Sequence, residues 1–344
     1  MAKTTTAPLY YAQSKSPPIK AMKWAQKGQY VRWTSTLPEN EGHEALNIFT
    51  VCLGDKARPA LVLVHGYPTS SYDFQDLLAE LGDEFYLCLL DTPGYGFSDK
   101  PRGGYRYSLF DDAKLVDHLI KNHFGLKQWS LLTHDKGNSV GLCLLGLYQG
   151  YADKPYEIKN HVILNGNIYL PLANLSLGQK ALLHPVSGRI LQRALSGRSL
   201  AKGLWDATFT GRPDLGEIAA LASIFDYQDG VRIQHELIQY LNERRVHEVE
   251  WLETLKKSDI PTTLIWGELD RIAPTRVADY VWRRYLSVRQ VPSSYWRVPL
   301  ANHYLQNDQP KVLAELVKYA LGAQAKPDFQ GAAGQPYEVR EYLP

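Results

Sequence analysis

The sequence predicts an α/β fold: a mostly parallel sheet covered by helices on both faces, with a helical cap (a lid) inserted between two of its later strands. Short, continuously apolar runs recur, Ala60-Leu61-Val62-Leu63-Val64 being the clearest, and strands read that way when both faces are buried. Segments of helical period alternate with these runs, as in Phe110, Leu115, Val116, Leu119 and Ile120, or Val312, Leu313, Leu316, Val317 and Leu321. The alternation breaks once, over residues 169–257, where helix-like segments and loop signals such as Gly211-Arg212-Pro213-Asp214 carry no buried-strand run.

Taken in order, residues 1–28 are rich in Pro, Lys, Ser and Thr and read as an irregular arm. Residues 29–34 and 46–51 alternate apolar and polar side chains, the pattern of half-buried antiparallel strands, and form an opening hairpin. Buried-type strands follow at 60–64, 85–90, 129–132, 161–164, 262–266 and 296–298. The core therefore spans residues 29–168 and 258–321, interrupted by the cap at 169–257. An insertion at the carboxyl edge of the sheet covers the crevice where open α/β sheets bind ligands. The tail, 322–344, has Gly, Ala, Pro and charges without a period and reads as irregular.

Thirty-eight basic residues against 36 acidic ones leave a net charge of +2, too little for a nucleic-acid or anionic-membrane partner. The expected partner is a small molecule. The first residues lack an apolar stretch, so no signal peptide is expected, and no run is long enough to span a bilayer. Cys52, Cys88 and Cys143 lie far apart in the chain without metal-ligand spacing, which fits reduced core thiols in the cytoplasm. No metal or cofactor is called for, and the oligomeric state stays open.

The chemistry gathers at strand ends. The run Leu131-Leu132-Thr133-His134-Asp135-Lys136-Gly137 has the small-x-nucleophile-x-small spacing of a sharp strand-to-helix turn, with Asp135 at its tip. Asp270 closes the strand that runs through Trp266, and His303 follows the strand ending at Val298. Carboxyl ends of neighbouring parallel strands converge, so Asp135, Asp270 and His303 form a candidate nucleophile, acid and base in that chain order. Glu268 is the fallback acid. The backbone N–H groups of Tyr67, after the first buried strand, and of Lys136 are the candidate oxyanion donors; Pro68 has no N–H to offer.

These residues carry a resemblance. HGYPTSSYDF at 65–74, DTPGYGFSDKP at 91–101, THDKG at 133–137, GELD at 267–270 and the Asn-His pair at 302–303 resemble α/β-hydrolases that use an aspartate nucleophile. That branch holds haloalkane dehalogenases, epoxide hydrolases and the mesoderm-specific transcript proteins, whose HGxPTSSYDW, GFGFSDKP and HDYG runs are similar. The resemblance covers residues 45 to 320 and implies an α/β-hydrolase fold.

An aspartate that attacked an ester would form a reactive anhydride, whereas attack on a saturated carbon forms a stable alkyl ester. The expected substrate is thus a small, hydrophobic electrophile, opened through an ester on Asp135 that a water activated by His303 then hydrolyses. The branch's dehalogenases typically carry Trp after the nucleophile and many carry Asn where Tyr67 stands; this chain has Lys136 and Tyr67. An epoxide hydrolase is the leading reading, and a haloalkane or haloacid dehalogenase the alternative. A second alternative is a non-catalytic receptor on the same fold.

An opening epoxide needs an acid, and epoxide hydrolases carry a Tyr on a late lid helix, which makes Tyr240 the candidate proton donor. Tyr169 and Tyr227 are weaker candidates, and Trp205 is expected to pack the lid. The haloacid-acting members have an Arg after the nucleophile, so Lys136 could meet a substrate carboxylate, pair with a lid acid or reach water; Ser139 replaces their second Arg. His134 and Asn138 are expected to fix the turn, Asp99 to serve a structural loop, and Asn165 and Asn167 cannot act as acids.

Overall fold

The computed structural model describes residues 18–212, 214–327, 329 and 340–342. Helix α1 (Ile19–Ala25) precedes the antiparallel hairpin of β1 (Gly28–Trp33) and β2 (Leu46–Leu53), in which Tyr30 lies opposite Phe49. Then β3 (Ala60–Val64), α2 (Gln75–Leu81), β4 (Tyr86–Leu90), α3 (Leu109–Leu119), β5 (Gln128–Thr133), α4 (Lys136–Gly150) and β6 (Glu157–Ile163) alternate. After the cap come β7 (Thr262–Gly267), α11 (Thr275–Val281), β8 (Ser293–Val298), α12 (Leu305–Asp308), α13 (Pro310–Ala320) and β9 (Arg340–Glu341).

Among the described residues the strands form one sheet in the order β1-β2-β4-β3-β5-β6-β7-β8-β9. Neighbours from β4 to β8 run parallel, while β1–β2, β2–β4 and β8–β9 are antiparallel. Continuous apolar runs are explained by the two layers they serve: Val62, Val64, Cys88, Leu90 and Leu131 face one buried cluster, and Leu61, Leu63, Leu87, Leu89 and Leu132 the other.

Between β6 and β7 lie α5 (Leu177–Leu183), α6 (Pro185–Ala194), α7 (Gly197–Thr208), α8 (Leu215–Asp226), α9 (Gln234–Ile238) and α10 (Tyr240–Lys257). Ser176 caps α5 and Ser196 caps α7 by reciprocal capping boxes, so each boundary is written locally. Helix α10 packs along α4 and thereby ties the cap to the turn that bears Asp135.

Both ends differ from expectation. The arm is not irregular up to residue 28: α1 buries Ala21, Trp24 and Ala25, Trp24 Nε1 donates to Ser71 Oγ at 3.2 Å, and Lys20 bridges Asp214 and Glu217 of the cap. A helical stripe was present in that short segment despite the flanking prolines. The tail adds β9 to the sheet edge, with Tyr342 N–H donating to the Tyr295 carbonyl at 2.6 Å. Residues 1–17 and most of 328–344 lie outside the described residues.

Candidate active site

Asp135 sits between β5 and α4 with φ 51° and ψ −112°, a backbone conformation costly for a residue with a Cβ. The turn closes only because its neighbours are small. A Cβ on Gly137 would lie 2.3 Å from the Val64 carbonyl oxygen, and one on Gly66 would lie 2.5 Å from the Asp135 Cβ. Hydrogen bonds hold the backbone on either side: Asp135 N–H donates to Asn165 O at 2.8 Å, and Asn138 N–H to Asp135 O at 3.1 Å. The carboxylate therefore projects at the amino end of α4, where the helix dipole favours negative charge. Tyr67 N–H donates to Asp135 Oδ1 at 2.9 Å.

The three residues singled out at strand ends meet. His303 Nδ1 lies 2.7 Å from Asp270 Oδ2, and its Nε2 lies 3.4 Å from Asp135 Oδ2. Asp270 is itself held: Ile272 and Ala273 N–H donate to Oδ1 at 2.8 Å each, and Asn165 Nδ2 donates to Oδ2 at 2.8 Å. Asn165 is thus no acid but a support for one, and its Oδ1 accepts from Gly267 N–H at 2.7 Å. Glu268 is exposed and apart from this network.

Burial pulls His303 down, but Asp270 and Asp135 more than offset it and raise the imidazole to about 10. Burial pushes Asp135 up, yet His303, Arg244 and His134 hold it well below the usual carboxylate range. The resting state is an imidazolium between two carboxylates. His134, lowered to about 4 by burial and by His303, is neutral; its Nε2–H donates to the His303 carbonyl at 2.9 Å. Its side chain thus braces His303, while its backbone fixes the turn as expected, its N–H donating to Val64 O at 3.1 Å and its carbonyl accepting from Gly137 N–H at 2.8 Å. Asn138 Nδ2 donates to Leu164 O at 2.8 Å and does fix the turn.

The Lys136 side chain goes where none of the three alternatives put it. Its Nζ contacts Asp112 Oδ2 at 2.5 Å and Thr92 Oγ1 at 3.1 Å, and lies 4.5 Å from the Tyr95 ring centroid. Asp112 belongs to core helix α3, not the lid, and both partners are buried. Burial pushes Asp112 up to about 6 against the pull of Lys136. The ammonium does not line the cavity at Asp135.

Asp135, His303, Tyr67 and Pro68 line a cavity of about 340 Å³ whose other walls are Leu182, Leu191, Leu195, Leu200, Leu204 and Ala207 of the cap, with Ser176, Gln179 and Ser199 adding polar groups. A larger open cleft of about 790 Å³, between the start of α3 and α9–α10, touches neither Asp135 nor His303. Its size is no guide to the chemistry, which faces the smaller cavity.

Tyr67 and Tyr240 rings lie 5.7 Å apart, and both hydroxyls are buried without a hydrogen-bond partner. Tyr240 stands behind Tyr67 rather than in the cavity wall. Burial first, then the charge on Asp135, pushes both phenols up, so they stay protonated. Tyr169 stacks on Tyr280 at 4.3 Å, Tyr227 packs on Phe97 at 5.3 Å, and Trp205 stacks on Phe209 at 4.4 Å, all packing roles. Asp99 accepts from the Asn47 backbone at 2.7 Å and braces its loop.

One residue escaped the sequence. Arg244 of α10 is fully buried: Nε donates to Ser139 Oγ at 2.8 Å, Nη2 to the Asp135 carbonyl at 3.3 Å, and Nη1 has no partner. The cap thus supplies a guanidinium at Ser139. In sequence it stands in a charged run, Glu243-Arg244-Arg245, which reads as a solvated face. The signal was its place on the buried stripe Leu241, Arg244, Glu248, Trp251, Leu252 and Leu255.

The family model described as the alpha/beta hydrolase fold matches residues 59–310. LipZ of Mycobacterium tuberculosis is 31% identical over 301 residues, which are 87% of this chain and 96% of that protein. The mesoderm-specific transcript protein of Mus musculus is 34% identical over 222 residues, 62% of this chain and 65% of that protein. Among solved structures, the haloalkane dehalogenase DbeA from Bradyrhizobium elkani superposes with a TM-score of 0.67 at 17% identity, covering 86% of this chain and 99% of that one. A thermophilic esterase from Thermogutta terrifontis does so with a TM-score of 0.64 at 18% identity, covering 86% and 98%. Dehalogenase and esterase fit alike, so these likenesses speak to fold alone. With the family model covering most of the chain, and the elbow, sheet order and cap in place, the chain belongs to the α/β-hydrolase fold family.

Proposed function

We propose that this hydrolase opens epoxides through a covalent alkyl ester on Asp135, with Asp270 and His303 completing the catalytic set. The observation that carries the reading is a carboxylate, not a hydroxyl, at the elbow tip, with an imidazole 3.4 Å away and Tyr67, whose buried hydroxyl has no partner, lining the same cavity. Asp135 Oδ2 attacks the epoxide carbon, the carbon–oxygen bond of the ring breaks, and a phenol protonates the departing alkoxide. Tyr67 lines the cavity and Tyr240 backs it, so we assign proton donation to this pair.

Esterification removes the charge from Asp135 and leaves His303 beside Asp270. The imidazolium proton can then pass through solvent to the phenolate left by the first step, and the neutral base takes a proton from the water that attacks the Asp135 acyl carbon. The oxyanion forms on Oδ1, facing the Tyr67 N–H and the first turn of α4, each such donor contributing on the order of 3 kcal/mol. The alkyl oxygen leaves with a proton from His303, giving a diol, and the Asp135 carboxyl group returns its proton to His303. The first step thus switches on the base for the second.

Dehalogenation fits less well, because a halide needs N–H donors and the Lys136 ammonium is engaged with Asp112. The reaction is assigned to a reducing cytoplasm, in keeping with three free thiols; among the described residues no helix is long and apolar enough to cross a membrane. Product analysis with styrene oxide and 1,2-dibromoethane tests the reading: diol without bromide release is expected, and bromide release without diol would overturn it.

A further inference from the structure

Cys52 and Cys88 are distant in sequence but directly opposite one another on β2 and β4. Asp91 N–H donates to Phe49 O at 2.9 Å, which makes 49/91 a hydrogen-bonded pair of this antiparallel ladder. The alternation then makes 51/89 and 53/87 hydrogen-bonded pairs and leaves 52/88 a non-hydrogen-bonded pair. In such pairs the Cα atoms lie about 4.5 Å apart with the side chains on one face, inside the ~4.4–6.8 Å span that a disulfide bridges. Both side chains turn to the same core layer, Cys88 wholly buried and Cys52 partly buried at its edge.

The surroundings divide the labour between the two. The neighbouring Cys88 thiol, opposed by burial and helped by Tyr86 and the Lys56 charge, brings Cys52 down to about 7. The Cys52 neighbour, together with burial, pushes Cys88 up. A thiolate-prone sulfur at the edge of the core beside a wholly buried thiol is the arrangement of an attacking and a resolving cysteine. Cys143 is buried on α4, its thiol pushed up by burial.

We propose that Cys52 and Cys88 are a peroxide-reactive dithiol site, separate from the Asp135 centre, that closes reversibly to a disulfide across β2 and β4. The Cys52 thiolate attacks one oxygen of hydrogen peroxide, the O–O bond breaks, and a sulfenic acid and a hydroxide form, the hydroxide taking from solvent the proton that the thiol gave up and leaving as water. The Cys88 sulfur then displaces the sulfenic hydroxyl, which leaves with the Cys88 proton as a second water. Two thiols are oxidised and one peroxide is reduced. Reversal requires a dithiol reductant, which a reducing compartment supplies.

The test uses the full, reduced chain with stoichiometric hydrogen peroxide, followed by denaturation in iodoacetamide and peptide mapping. The expected result is a Cys52–Cys88 linked peptide, two thiols lost per chain, Cys143 alkylated, and full recovery with dithiothreitol. In Cys88→Ser, Cys52 is expected to be trapped by dimedone as a sulfenic acid. Wild-type Cys52 reaching sulfinic acid while Cys88 stays alkylatable overturns the proposal, as does retention of all three thiols. Should Cys88→Ser fail to fold, the wild-type map alone decides.

Discussion

Replacing Asp135 with Asn keeps the shape of the elbow and removes the carboxylate 3.4 Å from His303 Nε2, leaving Asp270 to hold the imidazolium. Two unit charges at that separation, in an effective dielectric constant near 20, interact by about 5 kcal/mol, or roughly three and a half pK units. His303, raised to about 10 in the wild type, is therefore expected to titrate between roughly pH 6 and 7 in Asp135→Asn. Imidazole nitrogen correlation spectra across the alkaline range measure this without any substrate. A His303 midpoint in the variant within one unit of the wild type would refute the coupling, and with it the switching of the base by esterification. The same shift sets a stability profile. A histidine raised above its unfolded value of about 6.5 contributes stability that is full below that pH and lost as pH rises through the folded midpoint. Wild-type Tm is thus predicted to fall between about pH 6.5 and 10 more steeply than that of Asp135→Asn.

Tyr67→Phe and Tyr240→Phe remove hydroxyls without creating new unpaired groups. Each is predicted to slow epoxide alkylation of Asp135, together by about 10²–10⁴-fold, while hydrolysis of a preformed ester is spared; pre-steady-state kinetics separates the steps. Lys136→Met strands Asp112 in the core and is predicted to cost about 3–5 kcal/mol in urea unfolding, with Lys136→Met/Asp112→Leu recovering most of it. Retention of stability in the single variant would contradict the buried pair. Arg244→Met releases Ser139 and the Asp135 carbonyl together, and is predicted to lower kcat with KM nearly unchanged, since the guanidinium is not in the cavity wall. A rise in KM alone would instead make it a substrate contact.

The sheet was legible because its strands are buried on both faces: Ala60–Val64 is apolar at every position and buried at every position. The elbow was legible because its chemistry demands small residues at fixed offsets, as Gly137 against the Val64 carbonyl demonstrates. What escaped depends on register or on another element's approach. Arg244 needed the packing of α10 on α4, Lys136 needed the position of Asp112 one helix away, and Cys52 needed the ladder that sets it opposite Cys88. The two-residue β9 is too short to carry a period at all. Asn165 was read for what it cannot do, donate as an acid, and its service to Asp270 emerged only from the geometry.

The covalent ester on Asp135 is the central claim, and His303→Gln isolates it, because glutamine holds the space of the imidazole without its basicity. The variant is incubated with styrene oxide, digested and analysed by mass. A gain of one styrene oxide on the peptide carrying Asp135, absent from Asp135→Asn/His303→Gln, is the predicted result. An unmodified Asp135 peptide, under conditions where the wild-type protein turns the epoxide over to diol, would contradict it.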